Sequence, residues 1–174
     1  MYFVITQLVG FIGTGAMFFS YQCKNSRKLF FMQMMSNVAY TVHFLMLGAI
    51  SGSLNILISM LRNFVLINSK NKWARNDGWL WIFVGLHLGV TFFTWQDAYS
   101  LLPCIGMIAI AVSSWTRNGK NVRLANLFIN SPAWLIYDIH TRSYAGVLCE
   151  VLLLASVIIS FLRYGVKALD NAEV

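Results

Sequence analysis

The stretch 29–69 reads LFFMQMMSNVAYTVHFLMLG, then AISG, then SLNILISMLRNFVLINS, and its reading decides the fold. Two apolar runs, 29–48 and 53–69, are parted only by Gly48-Ala49-Ile50-Ser51-Gly52, which is long enough for a tight turn and little else. A helix needs about 20 apolar residues to cross roughly 30 Å of hydrocarbon, so the pair reads as two antiparallel membrane spans. Neither run alternates with a period of two, which argues against the strands of a closed barrel. Working outward, the same reading applies at 3–22, 79–96, 98–115, 122–139 and 144–163, for seven candidate spans in all. The boundary between the fourth and fifth is soft, because only Gln96-Asp97-Ala98 separates them.

Composition agrees with a membrane chain. Of the 174 residues, 58 % are hydrophobic and 11 % charged, whereas a soluble domain is about 25 % charged. That excludes a soluble globular fold, and with it disorder; three cysteines are too few for a disulfide scaffold. The net charge of +7 would suggest nucleic acid on a soluble protein. Here the basic residues sit between the apolar runs and report orientation instead, so no nucleic-acid partner is expected. Lys24, Arg27 and Lys28 follow the first span; Lys70, Lys72 and Arg75 follow the third; Arg117, Lys120 and Arg123 surround the start of the sixth; Arg163 and Lys167 follow the seventh. Only Arg142 lies on the opposite side, and Arg62 lies within a span. The positive-inside rule then places the N-terminus outside and the C-terminus in the cytoplasm, as an odd number of spans requires. The first residues carry no basic stretch and no convincing cleavage site, so 3–22 reads as a retained helix rather than a signal peptide.

Sliding the chain on itself by 94 residues brings spans one to three onto spans five to seven. Ser20-Tyr21 meets Ser114-Trp115, Ala39-Tyr40 meets Ala133-Trp134, and Gly52 meets Gly146. The individual matches are weak, but helix ends, basic loops and the tight turn line up together. The expected architecture is all-α: one membrane domain over 1–174, with a first triple-helix bundle at 3–69, an inverting linker helix at 79–96, a second parallel bundle at 98–163 and a cytoplasmic tail at 164–174. Parallel repeats about an axis along the membrane normal are a transporter plan, with the site between the repeats near the midplane.

This 3+1+3 arrangement resembles the SWEET and PQ-loop transporter superfamily, and more closely the YgjV family of bacterial inner-membrane proteins. The resemblance covers almost the whole chain. It is carried by Ser20-Tyr21-Gln22-Cys23-Lys24, by His43 to Ala49 with Asn55 and Arg62 downstream, and by Ser131-Pro132-Ala133-Trp134-Leu135-Ile136-Tyr137-Asp138 with Gly146 and Glu150. It implies an inner-membrane protein with two triple-helix bundles that rock about a central cavity. SWEET-type members hold substrate with an aromatic on the second helix of each bundle and an Asn on the third. The matching positions are Tyr40 and Trp134, then Asn55 and the Cys149-Glu150 pair. The Pro-Gln dipeptide is absent, replaced by Tyr21-Gln22 and Trp115-Thr116. Of the hinge prolines only Pro103 and Pro132 remain, both in the second half.

A charge inside a span costs about 2.5–3.5 kcal/mol on insertion scales, so each needs a reason. Glu150 is either a proton- or ion-coupling carboxylate or a group that fixes helix packing. Arg62 either snorkels to the cytoplasmic headgroups or pairs with Glu150. His43 either relays protons or bonds a neighbouring helix; His87 reads as a packing or lipid-facing residue, and Asp138 with His140 as either a vestibule or, the favoured reading, a cap at the outer boundary. Tyr40 and Trp134 lie near mid-span rather than at the headgroups, where aromatic anchors belong, which favours a lined cavity. Pro132 disturbs the turn before it and would free carbonyls near Phe128. Asn37, Asn55, Asn63, Asn130 and Gln7 are either cavity residues or polar glue between helices. Cys104 and Cys149 lie at similar depths but inside hydrocarbon, where a disulfide is not expected.

The expected function is a small-solute transporter with a cavity lined by Tyr40, Asn37, Asn55, Asn130 and Trp134, coupling at Glu150, His43 or Arg62, and a hinge at Pro132. The alternative is a receptor or assembly factor that kept the fold and lost turnover. No metal-ligand, hydrolase or phosphate-loop motif occurs, so neither an enzyme, a cofactor nor a metal is expected. The expected partners are the lipid bilayer and a solute, with a homodimer left open.

Overall fold

The computed structural model describes residues 2–23 and 25–165. Lys24, Lys167 and the tail from 166 onward lie outside the described residues. Helices α1 (Tyr2–Gln22), α2 (Ser26–Met46), α3 (Ile50–Ile67) and α4 (Gly78–Phe93) are followed by a 3₁₀ turn (Ala98–Ser100) that leads into α5 (Leu101–Trp115). Next come α6 (Gly119–Ala125), a π-helical turn (Asn126–Asn130) and α7 (Ser131–His140), which run on without a break, and then α8 (Tyr144–Tyr164). The described residues thus form seven helical rods and no strand.

These rods turn their polar residues inward, among buried apolar ones such as Leu29, Phe30, Phe44 and Leu153, and are apolar outside, as a lipid solvent demands. On α2 the outward residues are Phe31, Met35, Val38, Val42 and Leu45, an apolar stripe at helical spacing. Its inward face carries Gln33, Ser36, Asn37 and His43, all buried. On α1 the buried positions are Thr6, Gln7, Gly10, Gly13 and Thr14, while Leu8, Phe11, Ile12 and Phe19 face outward.

Four helical stretches are long and apolar enough to cross a membrane by length and composition: Tyr2–Gln22, Ile50–Ile67, Ala98–Trp115 and Tyr144–Tyr164. Three expected spans fall short on that measure, each for a visible reason. The inward polar face lowers the hydropathy of α2, α4 has only 16 residues, and 119–140 is interrupted by the π turn. The soft boundary at Gln96-Asp97-Ala98 is a real break. The Asp97 carboxylate accepts from the Tyr99 N–H, and the Ser100 hydroxyl closes the other half of a capping box.

The two tight turns at one end of the bundle have the same bonds, 94 residues apart. After α2 the Ala49 N–H reaches the Phe44 carbonyl at 2.9 Å, and after α7 the Ser143 N–H reaches the Asp138 carbonyl at 2.8 Å. Each is the six-to-one bond of a Schellman cap, with Gly48 (φ 73°) and Arg142 (φ 56°) in the left-handed conformation it needs.

Packing follows a closed order. α1 packs on α2 and α8, α2 on α3, α3 on α5, α5 on the 119–140 rod, and α7 on α8. α4 stands outside this ring against α3 and α5. It turns only Phe83, His87 and Thr91 inward and presents Trp81, Leu88, Phe92 and Phe93 outward.

The α1–α8 seam is tied by side chains. Gln22 Nε2 donates to Ser156 Oγ at 2.8 Å, Ser156 Oγ donates to the Phe18 carbonyl at 3.0 Å, and Tyr164 Oη donates to the Gln22 carbonyl at 2.9 Å. Arg123, grouped above with the loop charges, is 1 % exposed. Its guanidinium donates to Ser160 Oγ and to the carbonyls of Gly119, Tyr21 and Cys23. It therefore satisfies carbonyls left open where α1 ends, at the end of the helix dipole that favours a cation.

Candidate functional site

Inside the ring lies a narrow, irregular cleft with a cavity volume of about 60 Å³, lined from α1, α2, α3, α5, the π turn, α7 and α8. α4 contributes nothing to it. Across it runs an aromatic tier. Phe44 sits between Tyr40 and Trp134, with ring centroids 6.0 and 5.5 Å away, and Tyr137 meets Trp134 edge-on at 5.6 Å. Two glycines admit this tier. A Cβ on Gly13 would stand 2.8 Å from the Tyr40 ring, and one on Gly106 would stand 2.8 Å from Asn130 Oδ1 and 3.2 Å from the Trp134 indole. In each half, then, the first helix is hollowed where the second helix sets its aromatic.

The Tyr40 hydroxyl is engaged, 2.7 Å from Thr14 Oγ1. The Trp134 Nε1 is not: it is buried with no partner. The same holds for Arg62 Nη1, Asn63 Nδ2, Asn130 Oδ1, Asp138 Oδ1 and Glu150 Oε2, and all six residues line the cleft. Buried polar groups are normally paired, because an unsatisfied one costs about 1–3 kcal/mol. Of the ten such atoms among the described residues, six surround this one space, which can therefore take polar contents, and four (Gln7 Nε2, Ser51 Oγ, His87 Nε2 and Ser114 Oγ) lie outside it.

Local structure explains how they come to face inward. Arg62 donates through Nε and Nη2 to its neighbour Asn63 Oδ1 at 3.2 and 3.0 Å, which leaves Nη1 directed elsewhere. The π turn widens the helix just before Pro132, and within it Asn130 Nδ2 donates to Asn126 Oδ1 at 2.9 Å. Asn130 thereby keeps its own oxygen unpaired. Pro132 itself stands in the first turn of α7, where its missing N–H is tolerated. The rod thus meets the proline with a π turn in the segment that was expected to hold freed carbonyls near Phe128.

Several expected residues stand elsewhere. Asn55 does not line the cleft: its Oδ1 accepts from His87 Nδ1 at 2.7 Å and its Nδ2 donates to the Ser51 carbonyl, so it faces α4. His87 is consequently buried and not lipid-facing. His43 is also outside the cleft. Its Nδ1 donates to the Thr6 carbonyl at 2.8 Å and its Nε2 meets Ser143 Oγ at 2.9 Å, so both nitrogens fasten helix ends.

Arg62 is 2 % exposed and does not snorkel. Nor does it pair with Glu150. Both helices start at the tight-turn end, at Ile50 and Tyr144; the six-residue difference in position along them is a step of about 9 Å at helical rise. Glu150 instead has the Ser131 hydroxyl against its carboxyl group.

Asn37, Tyr40, Asn130, Trp134, Arg62 and Glu150 are brought together around the cleft. Asp138, read from sequence as an interfacial cap, is 1 % exposed and lines the cleft beside Gly146. Its position next to a helix end concealed this, since the sequence does not say that α8 folds back over it. His140, by contrast, is at the surface, 2.8 Å from Asp97 and stacked on Tyr99. Cys23, Cys104 and Cys149 are free thiols.

Among known proteins, residues 4–168 match the model of a family, Imp-YgjV, described as a bacterial inner membrane protein. No curated protein and no solved structure matches.

Proposed function

We propose, from the premise that this chain belongs to the Imp-YgjV family of bacterial inner membrane proteins, that it is a small-solute transporter and not an enzyme. It works by alternating access between two triple-helix bundles, α1–α3 and α5–α8, with α4 as the linker. The observation that carries this reading is the cleft between the bundles, edged by six buried polar atoms without partners. A receptor that had lost turnover would be expected to close this interface with apolar side chains.

Supporting the internal repeat, the packing order is unchanged when α1 is exchanged for α5, α2 for the 119–140 rod, and α3 for α8. The twin Schellman turns fall at equivalent positions in that exchange. The tight-turn end is held by bonds that cross between the bundles. His43 meets Ser143 at 2.9 Å, and the Gly52 N–H donates to Tyr137 Oη at 3.1 Å. The α1–α8 seam crosses between the bundles too, through Gln22, Ser156, Tyr164 and Arg123, so a transport cycle would have to open or slide along that seam as well. In the proposed membrane orientation the seven rods all span, the tight turns face outward and the basic loops face the cytoplasm. The partners are the bilayer and a solute, without nucleic acid; a homodimer is compatible with the apolar outer surface.

The test is thermal stabilisation of the detergent-purified protein by sugars, nucleosides, vitamin precursors and amino acids, with Trp134→Ala alongside. A ligand at 100 times its dissociation constant adds about 2.7 kcal/mol to the native state. The expected result is a compound that stabilises wild type but not the variant and exchanges across liposomes that hold wild type. Binding without exchange would move the receptor reading ahead.

A further inference from the structure

We infer, resting on the transporter reading above, that the solute is a small zwitterion, with its carboxylate bound by Arg62 and Asn63 and its ammonium bound by Glu150 and Asp138. The unpartnered atoms of the cleft separate by chemistry. Arg62 Nη1 and Asn63 Nδ2 can only donate, and both belong to α3. Glu150 Oε2 and Asp138 Oδ1 are carboxyl oxygens on α8 and α7, while Asn130 Oδ1, eight residues before Asp138 on its rod and so about 12 Å from it at helical rise, stands apart from them. Trp134 Nε1 lies on the wall between.

The charged residues also separate by depth. Along their helices the charged residues of α3 and α8 differ by about 9 Å at helical rise, and no ion pair joins Arg62 to Glu150. The cleft therefore holds a cation and carboxyl groups that do not neutralise one another. A neutral sugar would supply hydrogen bonds but leave the Arg62 cation uncompensated in a low dielectric. An amine or a carboxylic acid alone would serve one station and abandon the other. Only a solute that carries both signs serves both, and burying an uncompensated charge costs several kcal/mol. Met17, Phe44, Ile56, Met107 and Ile110 form apolar walls for the carbon frame between the two ends.

The broken equivalence of the halves points the same way. At the offset of 94, the counterpart of Arg62 is Ser156 and the counterpart of Glu150 is Ile56. Each half brings one sign of charge, so the ligand needs a polar direction.

The probes are the standard amino acids and the ω-amino acids from β-alanine to 6-aminohexanoate, scored by thermal stabilisation of the full-length protein. Any zwitterion that binds is compared with the amine lacking its carboxylate and the acid lacking its amine. The expected result is binding at least about tenfold tighter than either partial compound. Arg62→Gln should reduce the zwitterion to the level of the amine, with recovery in Arg62→Lys. Glu150→Gln should reduce it to the level of the acid. The unliganded melting curve of each variant separates lost binding from lost folding. Equal binding of zwitterion and amine, equal binding of zwitterion and acid, or no response to any zwitterion overturns the inference. If glucose or uridine stabilises through Trp134 while no zwitterion does, transport stands and this assignment falls. If a zwitterion binds by this pattern but does not exchange across liposomes, the assignment stands and transport falls.

Discussion

The α1–α8 seam and the cleft are both polar, both buried and only a few side chains apart, yet they are finished differently. At the seam, Arg123 makes four donated hydrogen bonds, and Gln22, Ser156 and Tyr164 close the remaining gaps. In the cleft, Arg62 spends two nitrogens on its own neighbour and leaves the third without a partner. Two arginines of equal chemistry thus have opposite uses. A satisfied buried charge holds helices together; one left partly unsatisfied keeps a position open for something that arrives later. Burial alone does not distinguish them, since their exposures are 1 % and 2 %. Partners do.

Three experiments would break or sharpen this contrast. The largest effect belongs to Arg123→Met, which strips donors from three carbonyls and a hydroxyl at once. Hydrogen bonds to a charged group are worth about 1.5–3 kcal/mol each, so a loss of at least about 3 kcal/mol is expected, read as a fall in melting temperature in detergent. A neutral result would mean that the seam does not depend on its arginine.

The α3–α4 contact should give an intermediate effect. Asn55→Leu leaves His87 Nδ1 buried without its acceptor and should cost about 1–2 kcal/mol. Adding His87→Leu removes the second partner and should recover most of that loss, with solute binding unchanged throughout, because neither residue lines the cleft. A binding defect in Asn55→Leu would return it to the site.

The smallest stability effect is expected from Arg62→Met. Replacing a buried, poorly partnered charge by an apolar side chain of similar size is often neutral or stabilising by about 1 kcal/mol or more. The melting temperature should hold or rise while solute binding is lost, the opposite sign to Arg123→Met. Equal destabilisation by both variants would erase the distinction between seam and cleft.

Much of the fold was legible in the chain because lipid imposes simple rules. Apolar length marked the rods, and the five residues from Gly48 to Gly52 could only be a tight turn. Where that reading fell short, polarity misled it. α2 looks marginal by hydropathy because its polar residues are counted without regard to the face they occupy. The rod over 119–140 looks uniform although a π turn divides it.

The site was legible only in part. Tyr40 and Trp134 stood out as aromatics at mid-span, and both do line the cleft. Asn55 was assigned by position in the bundle, but a few tens of degrees of rotation about α3 turn it toward His87. Phe44 gave no signal, since an apolar residue in a span is unremarked, and Asp138 was noticed but placed at the boundary, because a carboxylate at a helix end reads as a cap.

The sequence by itself determined that this is a helical membrane protein, where its helices begin and end to within a few residues, and which short segments had to be turns. Those properties depend on local composition and on the cost of exposing backbone to lipid, which each segment meets alone. Only the tertiary structure decided which polar groups are satisfied. Arg123 found carbonyls of α1 about a hundred residues away, and Arg62 found no partner beyond Asn63. A hydrogen bond depends on distance and direction to within fractions of an ångström, and helix rotation and depth set both.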